Sequence, residues 1–462
     1  MWAPQDSNLG PTGYEPAALT AELGARRGNA AILALLLSFA GPVSAGSRDS
    51  ADVGAPARRR ILALDVLRGF AVGGILVANV EVFFGLMFMP AAQAAALPTF
   101  QADRIAMFLE HVLIEGKFYS IFSLLFGIGF GLQLARAGEA AVPLFRRRLR
   151  ILLAIGAVHA FLIWAGDILM LYALLGLLMP WFARKSDRSL LRWTAGLLAT
   201  PTILYIVTLG IWYVAAGTPA APPPGDGPGI PPDILERLLA MGTGGFADAF
   251  IGNLLFVVGR WADLFVSMRF PKVLGMFVLG LWAVRHGIVS EPGAHRDLLV
   301  RWRRLGLLIG LPANLLAAWA FLHWPYMPPS AGALMGVAGQ AIGFPMLAIG
   351  YACTVALWVI DGRQLILRMA PVGKMALSNY LMHSIVCVTL SYGFGLGLWM
   401  RVGALAVTGI ALAIVLVQIP ISTWWLGHYR YGPAEWIWRR LTYRQPLPLR
   451  TSDVDVRTSK LL

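Results

Sequence analysis

The chain has 462 residues, of which 58% are hydrophobic and only 13% charged, and it carries a formal net charge of +14. A soluble domain holds about 25% charged residues, so too little polar material is present here to cover a surface in water, and lipid is the remaining solvent. The positive charge sits in short runs between apolar stretches, among them Arg58-Arg59-Arg60, Arg146-Arg147-Arg148, Arg303-Arg304 and Arg439-Arg440, which is the pattern of cytoplasmic loops and not of a nucleic-acid groove.

Residues 1–27 are polar, aperiodic and rich in Pro and Gly. The run Ala3-Pro4-Gln5-Asp6-Ser7-Asn8-Leu9-Gly10-Pro11 resembles a stretch that arises when a reading frame extends through a transfer-RNA gene. Residues 30–40, behind Arg26-Arg27, have the shape of a signal-peptide core but are too short to span. We expect 1–57 to be a dispensable, disordered extension, 58–445 to be one polytopic domain, and 446–462 to be a cytoplasmic tail.

From residue 61 the apolar stretches recur at the length a spanning helix needs, about 20 residues at 1.5 Å each. They predict an all-α membrane helix bundle with about ten spans, at 61–86, 117–135, 149–165, 168–183, 194–216, 271–289, 305–323, 331–359, 372–396 and 403–426. Residues 217–235, with Pro222-Pro223-Pro224 and Pro231-Pro232, read as a flexible loop. Residues 246–270 carry Arg260, Asp263 and Arg269 and read as an interfacial or re-entrant helix, as do 104–116. Placing both termini in the cytoplasm puts every strong basic cluster on one side, as the positive-inside rule requires. The expected location is therefore the bacterial cytoplasmic membrane. The two cysteines, Cys353 and Cys387, lie in apolar stretches with no second Cys or His at ligand spacing, so neither a disulfide framework nor a metal site is indicated.

Three separated motifs carry a family resemblance. The first is Arg60-Ile61-Leu62-Ala63-Leu64-Asp65-Val66-Leu67-Arg68-Gly69-Phe70-Ala71. The second joins Lys117-Phe118, Phe122-Ser123-Leu124-Leu125-Phe126-Gly127-Ile128-Gly129, His159, Gly166-Asp167-Ile168-Leu169 and Tyr172. The third is Ala376-Leu377-Ser378-Asn379-Tyr380-Leu381 with Gly432-Pro433-Ala434-Glu435-Trp436-Ile437-Trp438-Arg439. Together, over about residues 58–445, they resemble the YeiB family, bacterial inner-membrane proteins grouped as a domain of unknown function. The chain departs from that pattern at His383, where the family usually has Gln. The first motif also resembles the opening helix of transmembrane acyltransferases, including the heparan glucosaminide N-acetyltransferase group. That resemblance implies a fold and a distant relationship to acyl transfer.

Ionisable groups inside a span cost at least about 2.5 kcal/mol and usually face a cavity or a partner. Asp65 and Arg68 share a helix face; they could hold a phosphate or carboxylate entering from the cytoplasm, or lock one helix to a neighbour. His159 is the leading candidate for a general base or acyl relay, against a histidine bonded to a carbonyl or a Ser on another helix. Asp167, after Gly166, could cap the following helix or orient the His159 ring. Asn379 and His383 make a polar stripe at mid-membrane, suited to a substrate or to hydrogen bonds between helices. Asn79, near the outer end of the first span, is a further substrate-binding candidate. Glu110, His111, Glu115 and Lys117 suit an external acceptor site or a solvated interfacial helix. The glycines Gly127, Gly129 and Gly131 follow no strand, so they read as helix-packing positions and not as a nucleotide loop. Glu435 is not accounted for by an interfacial anchor.

Two functional classes follow. One is an acyltransferase that moves an acyl group from cytoplasmic acyl-coenzyme A, as donor substrate and not resident cofactor, to an extracytoplasmic small-molecule, lipid or glycan acceptor. The other is a transporter or channel for a small solute. Partners in either are the lipid bilayer and the substrate, and nucleic acid is not among them.

Overall fold

The computed structural model describes residues 54–216 and 232–451, and the expectations for 1–53, for 217–231 and for the end of the tail lie outside them. Among the described residues the named elements are helices, with an isolated bridge between Tyr429 and Arg450. In chain order they are α1 (Gly54–Phe83), α2 (Ala91–Ala95), α3 (Phe100–Leu113), α4 (Lys117–Ala137), α5 (Ala141–Leu162), α6 (Leu169–Gly176), α7 (Met179–Phe182) and α8 (Asp187–Ala216). Then follow α9 (Pro232–Thr243), α10 (Phe246–Val266), α11 (Arg269–Arg285), α12 (Arg296–His323), α13 (Ala331–Ile360), α14 (Gln364–Leu367) and α15 (Ala370–Lys374). The last are α16 (Ala376–Ser391), α17 (Ala404–His428) and α18 (Pro433–Tyr443).

Seven segments among the described residues are long and apolar enough to cross a membrane: α1, the run Phe100–Leu162, α8, α10, α12, α13 and α17. The run Phe100–Leu162 is not one rod. Gly116 (φ +81°) and Gly138 (φ +55°) adopt backbone conformations that side-chain-bearing residues rarely take, and they divide it into α3, α4 and α5. α11 and α16, with 17 and 16 residues, fall just short of the same length. α10 has the length and apolarity of a span, and the sequence reads it as an interfacial or re-entrant helix. Its Arg260 and Asp263 pair on one face at 2.8 Å and partly cancel.

Glycines set the closest helix crossings. A Cβ on Gly127 of α4 would run into the Phe277 carbonyl of α11, and one on Gly280 into the Leu124 carbonyl, so the two backbones touch. Gly306 and Gly350 do the same for α12 and α13, and Gly69 with Gly373 for α1 and α15. Beside the α4–α11 crossing, Phe126 and Phe277 stack with centroids 4.4 Å apart, and Tyr172 of α6 meets Phe277 edge-on. α8 and α17 instead turn Ile203, Ile206, Val207, Leu412, Leu416 and Val417 outward, as helices facing acyl chains do.

Polar contacts distinguish the two ends of the bundle. At one end, Arg184 reaches Glu139, Arg285 donates to the Lys185 carbonyl at 2.7 Å, Arg296 pairs with Asp361 at 2.8 Å, and Arg147 donates to the Leu441 carbonyl at 2.7 Å. These bonds gather the basic loops together. At the other end, Gln93 donates to the Met400 carbonyl, Gly393 to the Met241 carbonyl, and Tyr326 to the Val266 carbonyl at 2.9 Å. α10 touches this second end at both of its termini, through Phe246 against Phe394 and through Val266 against Tyr326.

Two buried helix N-termini are satisfied by carboxylates from other elements. Glu435 of α18 accepts from Leu377 N (2.7 Å), Ser378 N (3.2 Å) and Ser378 Oγ, closing the start of α16. Asp103 of α3 accepts from Leu405 N at 2.9 Å and closes the start of α17. The N–H groups there would otherwise be unpaired, and a carboxylate also matches the positive end of the helix dipole. This accounts for Glu435, which anchoring alone does not.

Candidate functional site

The site forms where α5 stops. Ile163 and Trp164 both donate back to the His159 carbonyl, at 3.0 and 2.8 Å, and the chain then runs irregularly from 163 to 168 before α6 begins. Irregular backbone at a buried position needs partners, and Asn253 of α10 supplies them. Its Oδ1 accepts from Ala165 N at 2.7 Å, and its Nδ2 donates to the Ala160 and Phe161 carbonyls. Trp164 stacks on Phe83 of α1 with centroids 3.8 Å apart. Gly166 admits the Trp164 ring and Gly156 admits the start of α6, since a Cβ at either would collide with those atoms.

This folding brings Asp167 back over His159. Asp167 Oδ2 accepts from Met170 N at 2.7 Å and caps α6, while Oδ1 lies 2.9 Å from His159 Nδ1. The two roles weighed from sequence are therefore held at once, one on each carboxylate oxygen. On the other side of the ring, His159 Nε2 lies 2.8 Å from Ser384 Oγ of α16. Tyr380, one turn before Ser384, packs its ring 5.1 Å from the imidazole and accepts from Ile168 N at 3.4 Å. His159, Asp167 and Ser384 are 1%, 6% and 0% exposed. A carboxylate accepts only, so Nδ1 carries the ring proton and Nε2 is left to accept from the Ser384 hydroxyl. The order is carboxylate, imidazole, hydroxyl. That is the hydrogen-bonded line which activates a serine nucleophile.

A cavity of about 450 Å³ adjoins this line through Gly166 and Trp164. Asn79 of α1 lines it, together with Glu115, Arg260, Asp263 and Arg269. Arg260 donates to Asp263 at 2.8 Å, Arg269 lies 3.8 Å from the same carboxylate, and Arg260 is within electrostatic reach of Asp167 and Tyr380. Among the described residues Arg260 Nε and Trp164 Nε1 are buried donors with no partner. Buried donors of this kind are available to a ligand oxygen.

A protein-family model described as "Protein of unknown function (DUF418)" matches residues 283–445, which include Tyr380, Ser384 and Glu435. The chain is 34% identical over 415 residues to the uncharacterised protein YxaH of Bacillus subtilis, covering 85% of this chain and 97% of YxaH. It is 31% identical over 418 residues to the uncharacterised protein YeiB of Escherichia coli, covering 84% of this chain and 98% of YeiB. A third relative, a 39.9 kDa protein of Bacillus acidopullulyticus, is 28% identical over 396 residues. The chain belongs to the YeiB (DUF418) family. The family is one of unknown function, so the chemistry is read from the site.

In this YeiB-family chain the sequence candidates separate into four places. His159 and Asp167 pair beside the cavity, and Asn79 lines it. Asp65 and Arg68 pair at 3.1 Å, with Asp65 buried and Arg68 about one-third exposed, nearer the basic end. Asn379 and His383 lie on a neighbouring face of α16, about 100° round the helix from Tyr380 and Ser384, and bond to α17: His383 Nε2 donates to Gln418 Oε1 at 2.7 Å, and Asn379 Nδ2 donates to Ser422 Oγ at 3.1 Å and to the Val372 carbonyl. Glu110, His111 and Glu115 converge within 4.8 Å beside Lys117, whose ammonium donates to the His111 carbonyl at 2.6 Å. Ser384, Asn253 and Arg260 were not singled out from sequence as site residues. Ser384 adjoins His383 in an apolar helix, and a single hydroxyl beside a polar stripe is a faint signal. Asn253 and Arg260 lie in the segment read as interfacial, where polar groups need no special account.

Proposed function

We propose that this chain is a multi-pass acyltransferase of the bacterial cytoplasmic membrane, with Ser384 as nucleophile, His159 as base and Asp167 as the group that orients it. The observation that carries the reading is the continuous line Asp167 Oδ1, His159 Nδ1 and Nε2, Ser384 Oγ, with contacts of 2.9 and 2.8 Å in a site closed to bulk water. The donor is an acyl-coenzyme A from the basic, cytoplasmic end, where Arg68 lies. The acceptor is a small-molecule, lipid or glycan hydroxyl or amine held in the cavity by Asn79, Arg260 and Trp164. Ten crossings, with both termini on the basic side, agree with α10 touching the opposite end at both of its termini.

The chemistry balances in two steps. Ser384 Oγ attacks the thioester carbonyl while its proton passes to His159 Nε2, and the C–S bond breaks as that proton leaves with the thiol. An acceptor then gives its proton to Nε2 and attacks the seryl ester, and the proton returns to Ser384. Asp167 keeps the imidazole in the tautomer that can take the proton and stabilises the imidazolium that forms. The test is reaction of the detergent-purified protein with a fluorophosphonate probe. Labelling of wild type that disappears in Ser384→Ala and falls in His159→Ala supports the reading, and an unlabelled Ser384 in the folded protein argues that the line only joins helices.

A second reading, transport of a small anionic solute, is favoured by one feature. The break between α5 and α6 places irregular backbone beside a cavity with two arginines, as transporter sites made of discontinuous helices do. Uptake into proteoliposomes that survives Ser384→Ala and is lost in Arg260→Gln would select it.

A further inference from the structure

The basic end carries a second cavity, of about 740 Å³, between the start of α5 and the end of α18. Four guanidinium groups line it, those of Arg147, Arg150, Arg440 and Arg444, and no acidic residue does. We propose that this pocket is a binding site for a phosphate group, carried either by an anionic lipid headgroup or by a soluble phosphate ester.

The pocket is built by specific contacts and does not arise from loose surface charge. Arg147 Nη2 donates to the Leu441 carbonyl at 2.7 Å, and Trp438 Nε1 donates to the Arg148 carbonyl at 3.0 Å, so α5 and α18 are tied together twice. Arg148 lies 4.6 Å from the Trp438 ring centroid, which fixes the register of that crossing. After α18 the chain reverses at Arg444, in the left-handed region at φ +54°, and Trp436 Nε1 donates to the Leu447 carbonyl at 2.9 Å, folding 445–447 back as one wall. Arg440 spreads over the Trp436 ring at 5.2 Å.

Four like charges around one cavity repel one another, and among the described residues none of the four has a carboxylate partner. An anion relieves that repulsion, and guanidinium forks match the planar oxygen pairs of phosphate better than a point charge does. The exposed stems and apolar wall, with Ile151 and Leu441, suit a headgroup whose chain continues into lipid. Basic pockets between helices at the cytoplasmic surface are where anionic headgroups collect. The site is separate from the Ser384 line, and the inference does not rest on acyl transfer.

The full chain is tested in phosphatidylcholine nanodiscs with and without phosphatidylglycerol, and separately by titration with inorganic pyrophosphate in detergent. The comparison is between wild type, Arg150→Gln/Arg444→Gln and the control Arg188→Gln, an exposed arginine on α8. Because all three positions are exposed, the variants are expected to melt as wild type does. The expected result is a loss of about tenfold to thirtyfold in affinity in the double variant only. Loss of phosphatidylglycerol retention alone identifies a lipid headgroup, and loss of pyrophosphate binding alone identifies a soluble phosphate. Equal binding by the double variant and Arg188→Gln on both arms overturns the proposal.

Discussion

Asp167 separates stability from chemistry, because each of its oxygens has a different partner. Asp167→Ala removes the cap on Met170 N, worth about 1 kcal/mol. It also removes a charge-assisted bond to His159 of about 1.5–3 kcal/mol and leaves a ring N–H unpaired at a position only 1% exposed. The expected total is about 3–5 kcal/mol, the cost seen when one partner of a buried pair is deleted. Asp167→Asn keeps the volume and can still offer an oxygen to Met170 N, so its cost should be about 1 kcal/mol. Its amide N–H must then face His159 Nδ1, which reverses the tautomer and makes Nε2 a donor toward Ser384. The ring can no longer take the serine proton. A change of this kind in a serine-protease triad costs about 10⁴ in turnover. The assay is equilibrium unfolding in mixed micelles, read with a thiol-reactive dye at the buried Cys353 and Cys387, beside fluorophosphonate labelling at Ser384. Near-native stability with lost labelling is expected for Asp167→Asn, and low stability for Asp167→Ala. Destabilisation by Asn equal to that by Ala, or labelling of the Asn variant at the wild-type rate, would refute this division of roles.

Other outcomes follow from single contacts. Gly127→Ala puts a methyl against the Phe277 carbonyl at the α4–α11 crossing, and should cost about 1–3 kcal/mol in the same unfolding assay, whereas Gly129→Ala, with open space around it, should be neutral. His383→Gln keeps a donor to Gln418 and removes a buried Nδ1 that has no partner among the described residues. The melting temperature should stay the same or rise, and a marked fall would mean that Nδ1 has a partner. Burial pushes the Glu435 carboxyl above the usual carboxylate range, with the Ser378 and backbone donors pulling the other way. The folded chain then holds this proton more tightly than the unfolded chain. The contribution is complete below the unfolded value near 4.3 and is lost as pH rises through the folded value. Melting curves across this window should flatten in Glu435→Gln, and an unchanged slope would assign the pH dependence to another group.

Local periodicity made much of the bundle legible. α1, α12, α13 and α17 are long apolar runs, and the Asp65–Arg68 pair is fixed by the geometry of one helix turn. Gly127 read correctly as a packing position for the same reason: small residues within one apolar helix have little else to do. The contact between His159 and Asp167 depended on how 163–168 unwinds, and that is decided by Asn253, far away on α10. Ser384 and Glu435 reach partners 225 and 58 residues distant, and no local pattern records which helices will meet.

The most direct test of the account is to incubate the purified protein with acyl-coenzyme A and locate any acyl group by peptide mass spectrometry. The account predicts an acyl mass on the peptide containing Ser384, absent from Ser384→Ala and from Asp167→Asn. An adduct that persists in Ser384→Ala, or an unmodified Ser384 in a protein that binds the donor, would contradict it.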